Sequence, residues 1–344
     1  KDFLERAGRR GIVVELTLFS SIYAEDNWRF CPFYPENHLP PAHAFDRTAV
    51  HTLENGPLLA RQEALVRNLV TELNEFDNLI FEIQNEPWCD RTAAVEVFET
   101  ADPTLGHNWQ NRVEVADEAS LAWQARVAEW IASEEARLPK RHLIAQNFCN
   151  FRTRLAQVDE RVSILNFHYA WPEAALWNYG LGRVINFDES GFSGPDDEPY
   201  RRQAWRFLLG GGGIFNHLDY SFFVGREDGE GRNQAPGGGS RELRRQLRAL
   251  GEFAGRYAFI DMRPEGGMPR GTSLLRGSDQ ALAYLEGGGG LTLTLPPGDY
   301  HVEWLDPLTG ELVAEQTLAC GERGLLDLAP PIPADELALG IRPA

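Results

Sequence analysis

Residues 78–88 read NLIFEIQNEPW, and residues 183–192 read RVINFDESGF. In each stretch a short apolar run ends at a carboxylate, Glu86 in the first and Glu189 in the second. Near-continuous apolar runs of this length are what parallel strands covered on both faces require. Two acids delivered by the ends of two buried strands are also what glycosidic bond cleavage needs. One gives a proton to the leaving oxygen, and the other stabilises or attacks the anomeric carbon.

Four more runs, at 12–19, 143–146, 163–167 and 213–216, share this character. Together with 79–84 and 184–187 they give six candidate strands. Apolar residues recur at helical spacing over 58–74, 116–136 and 240–257, the last opening on Ser240 with basic residues along one face. Alternation of this kind means a parallel α/β fold, either a doubly wound sheet or a closed barrel. No GxGxxG follows the first strand, and the glycine runs at 210–213, 237–239 and 287–290 lack the Lys-Ser/Thr of a phosphate loop. A barrel puts its chemistry on loops that follow the strands, which is where Glu86 and Glu189 fall. The expected fold is therefore a (β/α)8-type TIM barrel over residues 1–262. From residue 263 to 344 the pattern changes to short alternating strands broken by Gly and Pro, with no helix. This reads as an antiparallel β-sandwich, with DPLTG at 306–310 as a hairpin turn.

The formal charge of −18, from 33 basic and 51 acidic residues, argues against nucleic acid and against an anionic membrane surface. It suits a neutral ligand such as a sugar. No apolar run approaches the ~18 residues of a membrane span. No signal peptide is visible, but Lys1 falls inside a helical pattern that leads at once into the first strand. The natural amino terminus is expected to lie upstream. Cys31, Cys89, Cys149 and Cys320 form no CxxC pair, so no structural zinc is expected and they read as free thiols. No metal or cofactor is expected, and the oligomeric state and redox compartment stay open.

The order of these features resembles the retaining glycoside hydrolases of clan A, the cellulase-like family 5 group and its relatives. FEIQNEPW at 81–88 resembles their fourth barrel strand, ending in an Asn-Glu pair. NFHYAWP at 166–172 resembles the sixth, with a His and a Tyr facing the site, and NFDESGF at 186–192 the seventh, ending in the nucleophile. CPFYPENH at 31–38 resembles the long loop after the third strand. GDYHVEWLDPLTGE at 298–311 is similar to the accessory, collagen-binding-like β-domains found behind such barrels. If the first strand here is the family's third, then the first two strands, and the site arginine near the second, are not in this sequence. Members often carry a sugar-stacking Trp after the eighth strand. Here IFNHLDYSFF at 214–223 offers Tyr220 or His217 instead. The resemblance implies a secreted or periplasmic protein, no cofactor and a carbohydrate substrate.

On this reading Glu86 is the general acid/base and Glu189 the nucleophile of a retaining double displacement on a β-glycoside. Asp188 competes with Glu189, but strand alternation puts neighbours on opposite faces. Asn85, His168, Tyr169, Trp88, Trp171 and Tyr220 are the expected substrate-binding residues. Asn85 would meet a sugar 2-hydroxyl, and Trp88 and Trp171 are the nearest to the motifs of a group that includes Trp28, Trp109 and Trp177. Glu15 and Glu82 lie inside strands and must be paired there. REDGEGRN at 226–233 reads as a surface loop, since it lacks the ligand spacing of a calcium loop. The rival readings are a barrel that binds carbohydrate without cleaving it, and an adhesion protein that works through its sandwich.

Overall fold

The computed structural model of the chain describes residues 1–37, 46–97, 109–232 and 237–344. His38 and Asn233, which close two of the stretches quoted above, lie outside these residues. The chain divides into two compact units, residues 1–168 with 180–184, and residues 169–179 with 185–344.

In the first unit, α1 (Asp2–Gly8) leads into β1 (Val14–Ser20), and the short α2 (Glu25–Trp28) and α3 (Leu58–Leu73) follow. Next come β2 (Leu79–Asn85), a hairpin of β3 (Thr92–Val97) and β4 (Arg112–Ala116), α4 (Glu118–Glu135), β5 (Leu143–Asn150) and β6 (Ile164–His168). Strand β1 runs parallel to β2, with Ser20 opposite Asn85. β2 runs parallel to β5, and β5 to β6, with Asn150 opposite His168. β1 and β2 therefore end level, as do β5 and β6. Val66 and Val70 of α3, and Trp123, Val127 and Ile131 of α4, have no exposed surface. That four-residue spacing is one face of a helix laid on the sheet. Helix α4 starts two residues later than the periodicity suggests. Ala116 completes β4, and Asp117 caps the helix by accepting from Ser120 N at 2.9 Å, a contact worth about 1 kcal/mol.

In the second unit, α5 (Pro172–Asn178) is followed by β7 (Val184–Ser190), α6 (Asp197–Leu209), β8 (Ile214–His217) and α7 (Arg241–Ala254). β7 and β8 are parallel, with Ser190 opposite His217 across an irregularity in register. Ser240 caps α7 as its sequence position suggests, accepting from Leu243 N at 2.9 Å. Each of the six expected strands is present. With their intervening helices they make a partial (β/α)8 fold, and antiparallel sheets follow it.

Those sheets contain β9 (Arg263–Pro264), β10 (Thr272–Arg276), β11 (Ala281–Glu286), β12 (Leu291–Thr294), β13 (Gly298–Leu305), β14 (Leu312–Cys320), β15 (Leu325–Leu328) and β16 (Glu336–Pro343). Six of them form a sheet in the order β14-β13-β16-β11-β10-β9, and β12 pairs with β15. DPLTG is the β13–β14 turn. Asp306 accepts from Leu308 N at 2.8 Å and from Gly310 N, through its carbonyl, at 2.8 Å.

The larger sheet is buried on both faces. Ala281, Ala283, Leu285, Leu337, Leu339 and Trp304 pack with Leu291, Leu293, Leu326 and Leu328 of the small sheet. The alternate residues Leu282, Tyr284, Leu305 and Ala338 pack with Ala204, Trp205 and Leu209 of α6 and Leu250 and Phe253 of α7. Trp205 stacks on Tyr284 with centroids 5.6 Å apart. Along the same seam Arg201 pairs with Glu336, both nearly buried, and Glu336 also takes the Tyr284 hydroxyl. Arg206 grips Glu286 through two bonds of 2.6 and 2.7 Å. Gly340 is required where β16 passes Tyr257. A Cβ there would collide with the Tyr257 hydroxyl, which donates to Glu303 at 2.5 Å.

Candidate active site

Among the described residues, five other than glycine have left-handed backbones: Tyr23 (φ 65°), Glu86 (48°), Phe151 (56°), Tyr169 (52°) and Phe192 (60°). Each lies within three residues of the end of a parallel strand, after β1, β2, β5, β6 and β7 respectively. Such a backbone is costly for bulky side chains, roughly 1–3 kcal/mol each, and persists only where surrounding contacts impose it. At Glu86 those contacts are visible. Ser21 Oγ donates to the Glu86 carbonyl at 2.6 Å, and Ser21 N donates to the Asn85 carbonyl at 3.1 Å. Asp90 in turn holds the turn after β1, accepting from Ile22 N at 2.8 Å and Tyr23 N at 3.2 Å.

The Glu86 side chain is 13% exposed, and its Oε1 lies 3.0 Å from His168 Nδ1. His168 Nε2 lies 2.6 Å from the Asn147 amide nitrogen, and Trp88 meets the imidazole edge-on at 5.4 Å. The Cys89 thiol points at Glu86 Oε2 from 3.7 Å. Burial, with the Glu86 charge adding to it, pushes this thiol far above its ordinary value, so it stays protonated and donates. The Tyr23 hydroxyl is pushed up in the same way by burial and then by Glu86. It accepts from Asn85 Nδ2 at 2.7 Å.

Tyr169 serves Glu189. Its hydroxyl donates to Glu189 Oε2 at 2.6 Å, and its ring meets Phe192 edge-on at 5.3 Å. Asp188 takes a hydrogen bond from Asn186 Nδ2 at 3.3 Å. His217 lies against Tyr200 at 4.3 Å and pairs with Ser190 Oγ at 2.7 Å. Burial lowers its basicity. Tyr220 is 37% exposed on the loop after β8, and Trp171 is half-buried at the start of α5.

Two of the expected substrate contacts are buried. His168 has no exposed surface and Trp88 is 2% exposed. The imidazole stands beside Glu86 and Asn147, and the indole meets it edge-on. Asn147, Tyr23, Ser21 and Cys89 were not anticipated as parts of this constellation.

Glu82 and Glu15 find partners inside the first unit. Glu82, 2% exposed, accepts from Thr17 Oγ1 at 2.6 Å and from the amides of Asn147 and Asn166, each at 3.0 Å. Glu15 accepts from Asn166 at 2.7 Å. All four cysteines are free. Residues 226–232 form a local turn in which Arg226 pairs with Asp228. His301, Glu303 and Glu315 bring possible metal-ligating atoms within 4.8 Å of one another on β13 and β14. Arg342 and Arg256 already stand 3.6 and 3.8 Å from Glu303 and supply countercharge.

No protein-family model and no curated protein matches this sequence. Solved structures do match its fold. A glycoside hydrolase family 5 protein from Bacteroides vulgatus superposes with a TM-score of 0.62 at 13% identity, over 99% of this chain and 72% of that one. A second solved glycoside hydrolase superposes with a TM-score of 0.55 at 11% identity, over 100% of this chain and 88% of the other. The chain thus has the fold of solved glycoside hydrolases. No helix among the described residues is long and apolar enough to cross a membrane.

Proposed function

We propose that this protein hydrolyses β-glycosidic bonds of an oligo- or polysaccharide with retention of configuration. One observation carries the reading. Consecutive residues at the end of β6 each face one of the two glutamates, with His168 Nδ1 3.0 Å from Glu86 Oε1 and the Tyr169 hydroxyl donating to Glu189 Oε2 at 2.6 Å. In the first step Glu86 protonates the leaving oxygen as the Glu189 carboxylate attacks the anomeric carbon. In the second, Glu86 takes a proton from water, which displaces Glu189 from the sugar. A hydrogen bond to the charged form of a carboxylate favours that form, so the Tyr169 hydroxyl suits Glu189 to the nucleophile's role. Asn85, Trp171 and Tyr220 would contact the substrate, while His168 and Trp88 orient Glu86.

Residues 1–262 would carry the chemistry and 263–344 would support it. The strand order, the placement of Glu86 and Glu189, and the likeness to solved glycoside hydrolases support this assignment. The test is the anomeric configuration of the first product released from p-nitrophenyl β-glycosides, followed by NMR. A β-anomer formed first supports retention, and an α-anomer means inversion. Binding of glycans with no release of reducing sugar would favour the carbohydrate-binding reading.

A further inference from the structure

We propose that a cleft on the helix side of β5 is a second binding site. It would take a small uncharged ligand that joins an apolar ring to an amide. The proposal goes beyond the reading of Glu86 and Glu189 and does not depend on it. Parallel neighbours such as β5 and β6 are usually joined through a helix. Here residues 151–163 join them as an irregular strap without a helix. Between this strap and α4 lies a cleft of about 700 Å³, a volume typical of small-molecule sites. The described residues that line it all belong to the first unit. Its walls are largely apolar, with Phe148 of β5, Leu121 and Ala125 of α4, and Leu155 and Val158 of the strap. Leu121 keeps 36% of its surface exposed.

One lining residue is Gln146, 5% exposed. Its neighbour Asn147 turns to Glu82 and His168, so strand alternation turns Gln146 the other way, toward α4. The Gln146 side-chain amide makes no hydrogen bond with any described residue. The other buried glutamines of this unit each make at least one. Gln62 donates to the Val50 carbonyl at 3.0 Å, Gln84 to Ser21 Oγ at 3.4 Å and Gln124 to Ser120 Oγ at 3.2 Å. A buried amide without a partner is costly, and Gln146 has both a donor group and an acceptor to satisfy. A ligand amide offers the complementary pair, and the apolar walls suit a ring beside it. An ion would need a buried countercharge. The charged residues of the lining, Glu118, Arg154 and Asp159, are all at least partly exposed. Asp159 is also held by Arg161 at 3.2 Å, and Arg154 has partners of its own.

The test is an NMR titration of the full chain, 15N-labelled at glutamine side chains, with benzamide as probe and toluene and benzoate as controls. The Gln146 signal is assigned by its loss in Gln146→Leu. Benzamide should shift that signal saturably, toluene should bind more weakly, and benzoate should leave it unmoved. Gln146→Leu should weaken benzamide about three- to tenfold, one hydrogen bond's worth, and leave toluene bound at least as well. Ala125→Leu, which narrows the cleft from the α4 side, should weaken benzamide and toluene alike and serves where Gln146→Leu fails to fold. No saturable shift of Gln146, equal benzamide affinity in Gln146→Leu, or unchanged binding of both probes in Ala125→Leu would overturn the proposal. The titration reads ligand binding whether or not any glycoside is cleaved, so failure of the hydrolase reading would leave this result standing.

Discussion

Tyr169 holds Glu189 twice. Its hydroxyl donates to the carboxylate at 2.6 Å, and its backbone N–H donates to the carbonyl of the same residue at 2.7 Å. Only the first bond depends on the side chain. Tyr169→Phe should therefore keep the fold and lose a charge-assisted hydrogen bond. Such bonds are worth about 1.5–3 kcal/mol, so kcat on an aryl β-glycoside should drop about 10- to 100-fold with an unchanged melting temperature. Unchanged kcat would mean that the hydroxyl plays no part in Glu189's reactivity.

Glu86 and Glu189 should fail in different ways. Glu86→Ala should cost about 10²–10⁴-fold on substrates with poor leaving groups, the usual contribution of general acid/base catalysis, and much less on activated aryl glycosides. Glu189→Ala should be inactive on both. Added azide should rescue it by attacking the anomeric carbon from the vacated side, giving an inverted glycosyl azide. Full activity in Glu189→Ala would sink the assignment of the nucleophile.

The trailing sheet should prove inseparable from the helices before it. Removing residues 264–344 would uncover Trp205, Leu250 and Phe253, which are buried against Leu282, Tyr284 and Leu305. The shortened chain should aggregate. A milder test is Glu336→Ala, which leaves Arg201 buried without its partner and should cost about 3–5 kcal/mol, seen as a large fall in melting temperature. A truncated chain that is monomeric and melts cooperatively would contradict this.

His142 supplies a pH dependence whose sign follows from its contacts. Nδ1 lies 2.5 Å from Glu135 Oε1, and Nε2 lies 2.7 Å from the Phe76 carbonyl. With an acceptor at each nitrogen, and the Glu135 contact the larger effect, the folded ring titrates above the ordinary histidine value. A group raised on folding stabilises fully below its unfolded value, about 6.5, and loses that contribution as pH rises through the folded value. The difference in melting temperature between the unmodified protein and His142→Gln should be largest near pH 5–6 and shrink on the alkaline side. A gap that widens with rising pH would refute the pairing.

The sequence showed the strands where apolar residues ran together and hid them where polar residues were buried in pairs. β5 shows both. Its first half is an apolar run, while in its second half, QNFCN at 146–150, buried asparagines bond to neighbouring elements. Asn150, for example, accepts from Glu114 N at 2.8 Å and donates to the Arg112 carbonyl at 3.0 Å. Helix α6 went unanticipated because Arg201 lies on its buried face, and Arg201's partner Glu336 is 135 residues away. The hairpin of β3 and β4 had a legible trace in AAVEV at 93–97, where one glutamate interrupts the apolar residues. The strand-end places of Glu86, Glu189 and Tyr169 could be read from the sequence. The contacts of Asn147 and Tyr23 could not, since they reach residues distant in sequence.

The five left-handed residues after the strands have a consequence for evolving this protein. Glycine would relieve the backbone at positions 23, 86, 151, 169 and 192, and asparagine would do so in part. A library selected only for heat resistance should therefore enrich glycine at these places. A library selected for turnover should conserve the native side chains at 86 and 169 against that pull. Where the two selections disagree, position by position, they would map which bends the chain keeps for chemistry and which it merely tolerates.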